Sequence, residues 1–177
     1  TPSTSSAASD VYKRQLMITP RVDYIKELVK PEHQLFHHRI DSCSYNLNRH
    51  QLSEILIRNM FHYEGIGLSA NQIGIWERAF CMMIDIKTEE VITCFNPRII
   101  KTYGESSWCE EGCLSFPDQT VNVLRPNKIV VKYEDVDKKL HKKKLEGLAS
   151  RVFQHEHDHM EGIDSVSYTH LRAHETV

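Results

Sequence analysis

Gln154-His155-Glu156-His157-Asp158-His159 is the stretch on which the fold turns, because it reads as one face of a helix built to hold an ion. His155 and His159 stand at i and i+4. On a helix such residues are about 400° apart, so they share a face and their imidazoles can converge. Glu156 follows the first of them and can reach a water on the same ion. His157 sits about 200° from His155 and points away. Val152 and Phe153 give the segment an apolar side. The pattern predicts a helix over Leu148 to Glu161, stopped before Gly162. The competing reading is a solvated helix face that holds its histidines by chance.

A catalytic site of the zinc type takes three protein ligands and leaves a position open for water. The extended pattern HExxHxxGxxH fits at Gly162, but Ser165 stands where its third histidine belongs. No downstream helix offers a glutamate. The third ligand must therefore come from upstream, and Cys113, in Cys109-Glu110-Glu111-Gly112-Cys113-Leu114-Ser115, is the best candidate. Taken alone, Cys113 reads more readily as an ordinary buried thiol. Further upstream, Gly65-Ile66-Gly67-Leu68-Ser69-Ala70-Asn71-Gln72 has two glycines that let backbone approach a ligand closely. Its Gln72 amide can donate to a developing oxyanion. A plain tight turn is the competing reading, and the missing third glycine excludes a dinucleotide fingerprint.

The surrounding chain predicts a single α+β domain, with antiparallel β-sheets around a buried C-terminal helix carrying HExxH. Leu52, Ile55, Leu56, Met60 and Tyr63 recur at helical spacing, so a helix is expected over Arg49 to Glu64. Strands are expected at Ala79 to Asp85, Val91 to Phe95, Lys128 to Tyr133 and about Leu140 to Leu145. Residues 1–15 and 165–177 read as non-native or disordered tails, which leaves 16–164 as the catalytic domain. The chain has 177 residues, 22 basic against 24 acidic, so net charge gives no case for DNA binding. The longest apolar run, Ala79 to Ile84, is far short of the ~20 residues that cross a bilayer, so no membrane partner is expected. Five cysteines, an odd number without a CxxC pair, point to reduced thiols and a cytoplasmic compartment.

Together, GIGLSANQ at 65–72, EGCLS at 111–115 and QHEHDH at 154–159 resemble, in order and separation, the three motifs of the peptide deformylase family. Ser69 replaces the first of two alanines in the family pattern, and the stretch from Leu28 to Asn48 matches weakly. The resemblance implies hydrolysis of the N-formyl group from the initiator methionine of nascent polypeptides, releasing formate. It implies metal ligation by Cys113, His155 and His159. A metal-bound hydroxide would attack the formyl carbon with Glu156 as general base and then acid, while Gln72 and the Leu114 N–H stabilise the oxyanion. Fe²⁺ is the family's common metal, with Zn²⁺, Ni²⁺ or Co²⁺ able to replace it. Spacing and ligand type alone would suggest zinc.

Substrate binding is expected at Ile66, Gly67, Glu111, Gly112, Leu148, Arg151 and Val152. Leu148 and Val152 suit an apolar pocket for the methionine side chain, with core packing as the alternative. Ile66, Gly67 and Gly112 would pair with substrate main chain as an added strand. The implied partners are N-formylmethionyl nascent peptides, with transient ribosome association left open. A monomer is expected, in a bacterial-type or virus-encoded setting with an organelle also open. Two other classes stay in view: an HExxH metallopeptidase with a different third ligand, and a non-catalytic metal-binding relative.

Overall fold

The computed structural model describes residues 24–30 and 32–163, so the expected tails at 1–15 and 165–177 lie outside the described residues. Its centre is one antiparallel meander of five strands in the order β1-β2-β3-β4-β5. They are β1 (Gly67–Ser69), β2 (Ala79–Asp85), β3 (Glu90–Cys113), β4 (Phe116–Glu134) and β5 (Leu140–Glu146). Two helices flank it, α1 (Arg49–His62) and α2 (Gly147–Met160). Short 3-10 turns stand at Gln34–Phe36 and Ala70–Ile73.

Strand alternation decides which helix covers which face. On β2, Ala79 and Cys81 join Leu52, Leu56, Ile57 and Met60 of α1. The intervening Phe80 and Met82 join Val152, Phe153 and Met160 of α2, with Ile129 and Val131 of β4 and Leu145 of β5. The Phe80 and Phe153 rings meet edge to face at 5.1 Å. The architecture is therefore one sheet between two helices, rather than several sheets wrapped around one.

Local chemistry sets the helix ends. The Asn48 side chain caps α1 by accepting from Gln51 N at 3.1 Å, and Gly65 N closes the helix on Met60 O at 2.9 Å. Beyond α2 the chain turns at Gly162, with φ of 74°; a Cβ there would lie 2.9 Å from the backbone carbon of His38. Arg78, almost fully buried, fastens this end by donating to Ile40 O at 2.6 Å, Met160 O at 3.4 Å and Glu161.

Strands β3 and β4 run much farther than the expected 91–95 and 128–133. They form a long hairpin whose turn is Leu114-Ser115, and Cys113 pairs with Phe116 across it. Register shifts at Phe95/Arg98, Ile99/Lys101 and Tyr103/Ser106 break the alternation of β3. Much of its length faces solvent.

Candidate metal centre

The hairpin turn and α2 bring Cys113 to the two histidines. Cys113 Sγ, one ring nitrogen of His155 and one of His159 all lie within 4.8 Å of one another. The imidazole rings stand at 89° with centroids 4.9 Å apart. Cys113 Sγ is 3.4 Å from His159 Nε2. A tetrahedral ion with ordinary metal–sulfur and metal–nitrogen bonds sets that edge at about 3.6 Å. Buried His159 Nδ1 has no hydrogen-bond partner, and Nε2 is the nitrogen that faces Cys113. His155 Nδ1 meets Glu111 Oε2 at 3.2 Å, which leaves Nε2 for the cluster. One thiolate and two imidazoles suit a borderline-soft divalent cation.

Glu111 is the hub of the support behind the three clustered side chains. It takes Arg125 through two hydrogen bonds of 2.7 and 2.8 Å and Arg151 through one of 2.8 Å, while facing His155. Burial alone would raise its pKa, but His155 and the two guanidinium groups outweigh this and hold it at about 2. Arg125 also donates to Asp158 on α2 at 2.8 Å. The cysteine strand and the histidine helix are thus clamped through Arg125, and again through Arg151 of α2, which donates to Glu111. Burial opposes a proton on His155, yet Cys113 and Glu111 beside it raise its pKa to about 10. His159, enclosed and near His155, is held well below the ordinary histidine range. The electronegative surroundings of His155 are those in which an ion takes the proton's place.

Glu156 lies 3% exposed, and burial pushes its carboxyl up to about 7 against the pull of His155. Its Oε2 has no hydrogen-bond partner. A Cβ on Gly67 would collide with its Oε1, so only glycine lets β1 pass without displacing this carboxylate. Gln72 is 1% exposed. Its oxygen accepts from Ser69 N at 3.0 Å and Ser69 Oγ at 2.9 Å, which fixes the amide and aims Nε2 at Cys113 Sγ, 3.4 Å, and Ser115 Oγ, 3.2 Å. Leu114 is half-buried in the hairpin turn, its side chain against the α1 core.

The remaining expected residues are spread out. Ile66 is partly exposed and its carbonyl accepts from Met83 N at 2.9 Å. Gly67 pairs with Met82 in β1, the edge strand of the sheet. Gly112 is exposed, one residue before Cys113. Val152 is packed into the α2-side core, whereas Leu148 is exposed beside a cavity of about 260 Å³ with Met83, Ile84 and Ala149. The polar atoms of Glu111 and Arg151 are engaged inside the protein; Arg151 also donates to Val123 O and Ser107 O. His157 turns from the cluster to Arg78, 3.3 Å, and Glu161, 3.6 Å.

Sequence reasoning missed Arg125, Asp158 and Asn71. Asn71 Nδ2 donates to His159 O at 2.9 Å and Leu35 O at 3.1 Å, tying the 3-10 turn to α2. A buried asparagine between Ala70 and Gln72 was the available signal. Arg125 carries no local signature, and Asp158, although inside QHEHDH at 154–159, was given no role.

Comparison with known proteins finds one family in sequence and in fold. The family model described as polypeptide deformylase matches residues 25–173. A peptide deformylase of Thermotoga maritima is 41% identical over 119 residues, covering 67% of this chain and 71% of that protein. The crystal structure of peptide deformylase from Thermotoga maritima superposes with a TM-score of 0.75 at 33% identity, covering 81% of this chain and 96% of that one. A Met-Ala-Ser-bound class I type b peptide deformylase from Acinetobacter baumannii gives 0.74 at 26% identity, covering 81% and 97%.

Proposed function

The chain belongs to the polypeptide deformylase family, and from that premise we propose that it hydrolyses the N-formyl group of formyl-methionine on nascent polypeptides through one divalent ion. The observation that carries this reading is the convergence of Cys113, His155 and His159 within 4.8 Å beside an enclosed Glu156. Cys113, His155 and His159 are the proposed ligands, with Fe²⁺ the expected metal and Zn²⁺, Ni²⁺ or Co²⁺ the substitutes. Such an ion lowers the pKa of water toward neutrality and polarises a carbonyl.

The side chains supply the rest. Glu156, titrating at about 7, can accept a proton from the attacking water and return it to the leaving amine near neutral pH. The Gln72 Nε2 amide and the Leu114 N–H are the proposed donors to the oxyanion. One such donor contributes about 3–4 kcal/mol to the transition state. Gln72 is held by Ser69 before substrate arrives, so little reorganisation is needed. The outer edge of β1, unpaired among the described residues, with Ile66 just before it and Gly67 in it, is the proposed rail for substrate main chain, opposite Gly112. Main-chain pairing ignores side-chain identity, which suits an enzyme for many nascent proteins. Leu148 and Val152 are the proposed apolar contacts for methionine, and the Met-Ala-Ser bound to the Acinetobacter baumannii protein is a peptide of this kind. Glu111 and Arg151 would act here through His155 and the strand rather than on the peptide. No helix among the described residues is long and apolar enough to cross a membrane. A cytoplasmic, monomeric enzyme, with transient ribosome association open, completes the proposal.

The test is formate release by anaerobically purified, metal-loaded protein. Formyl-Met-Ala-Ser should be hydrolysed, and acetyl-Met-Ala-Ser should not. Cleavage of peptide bonds without formate release would overturn the proposal in favour of a peptidase.

A further inference from the structure

Helix α1 covers only part of its face of the sheet. Where the register sets Arg98 and Lys101 of β3 beside Lys132 of β4 and Lys142 and Lys144 of β5, that face carries a cluster of cations. Ladder pairing aligns them in two cross-strand rows. Arg98, Lys132 and Lys142 form one row, and Lys101, Val130 and Lys144 the next. Arg98, Lys101, Lys142 and Lys144 are exposed and Lys132 half-buried. These residues alternate with Ile129, Val131 and Leu145, which point into the α2 core, so the cations face away from the metal centre. Lys128, next along β4, is paired with Glu146 at 3.2 Å, and Glu134 with Arg49 at 2.6 Å. Among the described residues, the five cations of the two rows have no carboxylate partner within ion-pair distance.

Like charges set directly opposite on neighbouring strands destabilise a sheet. Three in one row, in a chain of net charge −2, form a local excess that an external anion would relieve. Neighbouring strands are about 4.8 Å apart and same-face residues about 6.7 Å, so the rows make a grid of positive charge on a surface three strands wide. The rows carry no exposed aromatic ring on which an unstacked base could lie. Their apolar neighbours are half-buried Val130 and exposed Leu140 alone, less than the apolar centre of a protein interface or the apolar face of a membrane-surface element. A three-stranded face is too broad for the B-DNA major groove, which admits a helix or a two-stranded ribbon. It suits the wide, shallow minor groove of an A-form duplex.

The geometry points to a docking surface for the phosphate backbone of duplex RNA, formed by Arg98, Lys101, Lys132, Lys142 and Lys144. It lies on the sheet face opposite α2, so an occupied surface leaves the metal centre accessible. This inference is independent of the deformylase chemistry, because binding is read without turnover.

The test is fluorescence anisotropy of a labelled 20-base-pair RNA duplex with the full chain across a salt series. Five neutralised phosphates predict a slope of log affinity on log salt of about −4.5, a loss of about 500-fold between 50 and 200 mM. The double variant Lys132→Glu/Lys142→Glu should bind at least ~10-fold more weakly with a shallower slope, in proportion to the contacts removed. Lys101→Gln/Lys144→Gln, a milder pair, should weaken binding in the same direction. Neither pair should lower the melting temperature or the formate release of the unsubstituted protein. Lys87→Glu, an exposed lysine off this face, should leave affinity unchanged. Salt-independent binding, an equal loss in Lys87→Glu, or tighter binding to phosphatidylserine vesicles or to a DNA duplex of the same length would overturn the inference.

Discussion

At Glu111 one carboxylate serves Arg125, Arg151 and His155 at once. A ring that donates its second nitrogen to a carboxylate is fixed in tautomer and orientation and made a more basic ligand. Glu111→Gln keeps the volume but leaves two guanidinium groups without their anion. Metal affinity should fall ~10–100-fold, and the metal-free protein should lose about 3–5 kcal/mol, the usual result of breaking a buried pair. Metal titration and urea melts measure the two effects separately. The pH dependence has a definite sign. The Glu111 carboxyl is held at about 2, below its ordinary 4.5, so its contribution is complete above pH 4.5 and is lost as pH falls toward 2. The acid limb of stability should therefore be flatter in Glu111→Gln than in the unsubstituted metal-free protein. An identical limb would remove Glu111 from the account.

Elements with a regular hydrophobic period were legible in the chain. The expected strand at Ala79 to Asp85 matches β2, and the helix expected over Leu148 to Glu161 matches α2 to within a residue at each end. The full extent of β3 and β4 was hidden. Pro97 and Gly104 read as breakers, the bulges interrupt the two-residue period, and Gly104-Glu105-Ser106-Ser107 lacks apolar residues altogether. β1 has three residues, all buried, so it has no alternation to read. Its central constraint is Gly67, whose function as clearance for the Glu156 carboxylate depends on a residue 89 positions away. Gly67→Ala tests that contact. It should displace the carboxylate and lower formate release by about 10²-fold, the scale set by a misplacement of about 1 Å. Metal content should stay at the unsubstituted level, because Cys113, His155 and His159 are untouched. Unchanged turnover in a stably folded Gly67→Ala protein would show that the close approach does not matter.

Across the whole molecule, segments 65–72, 111–115 and 154–159 meet because the meander places β1 and the β3–β4 turn against α2. Their joint presence was legible as three separated motifs. The clamp through Arg125 was not, since Glu111, Arg125 and Asp158 come together only in the folded chain. The cationic face was equally hidden, because a net charge of −2 averages it away and only ladder register aligns its rows. The central claim is that this assembly holds an ion with three side chains and performs proton transfer with a fourth. Metal stoichiometry and formate release from formyl-Met-Ala-Ser, measured together on Glu156→Gln, test it most directly. The account predicts one divalent ion per chain, as in the unsubstituted protein, with turnover reduced by ~10²–10⁴-fold. Near-normal formate release by Glu156→Gln would contradict it.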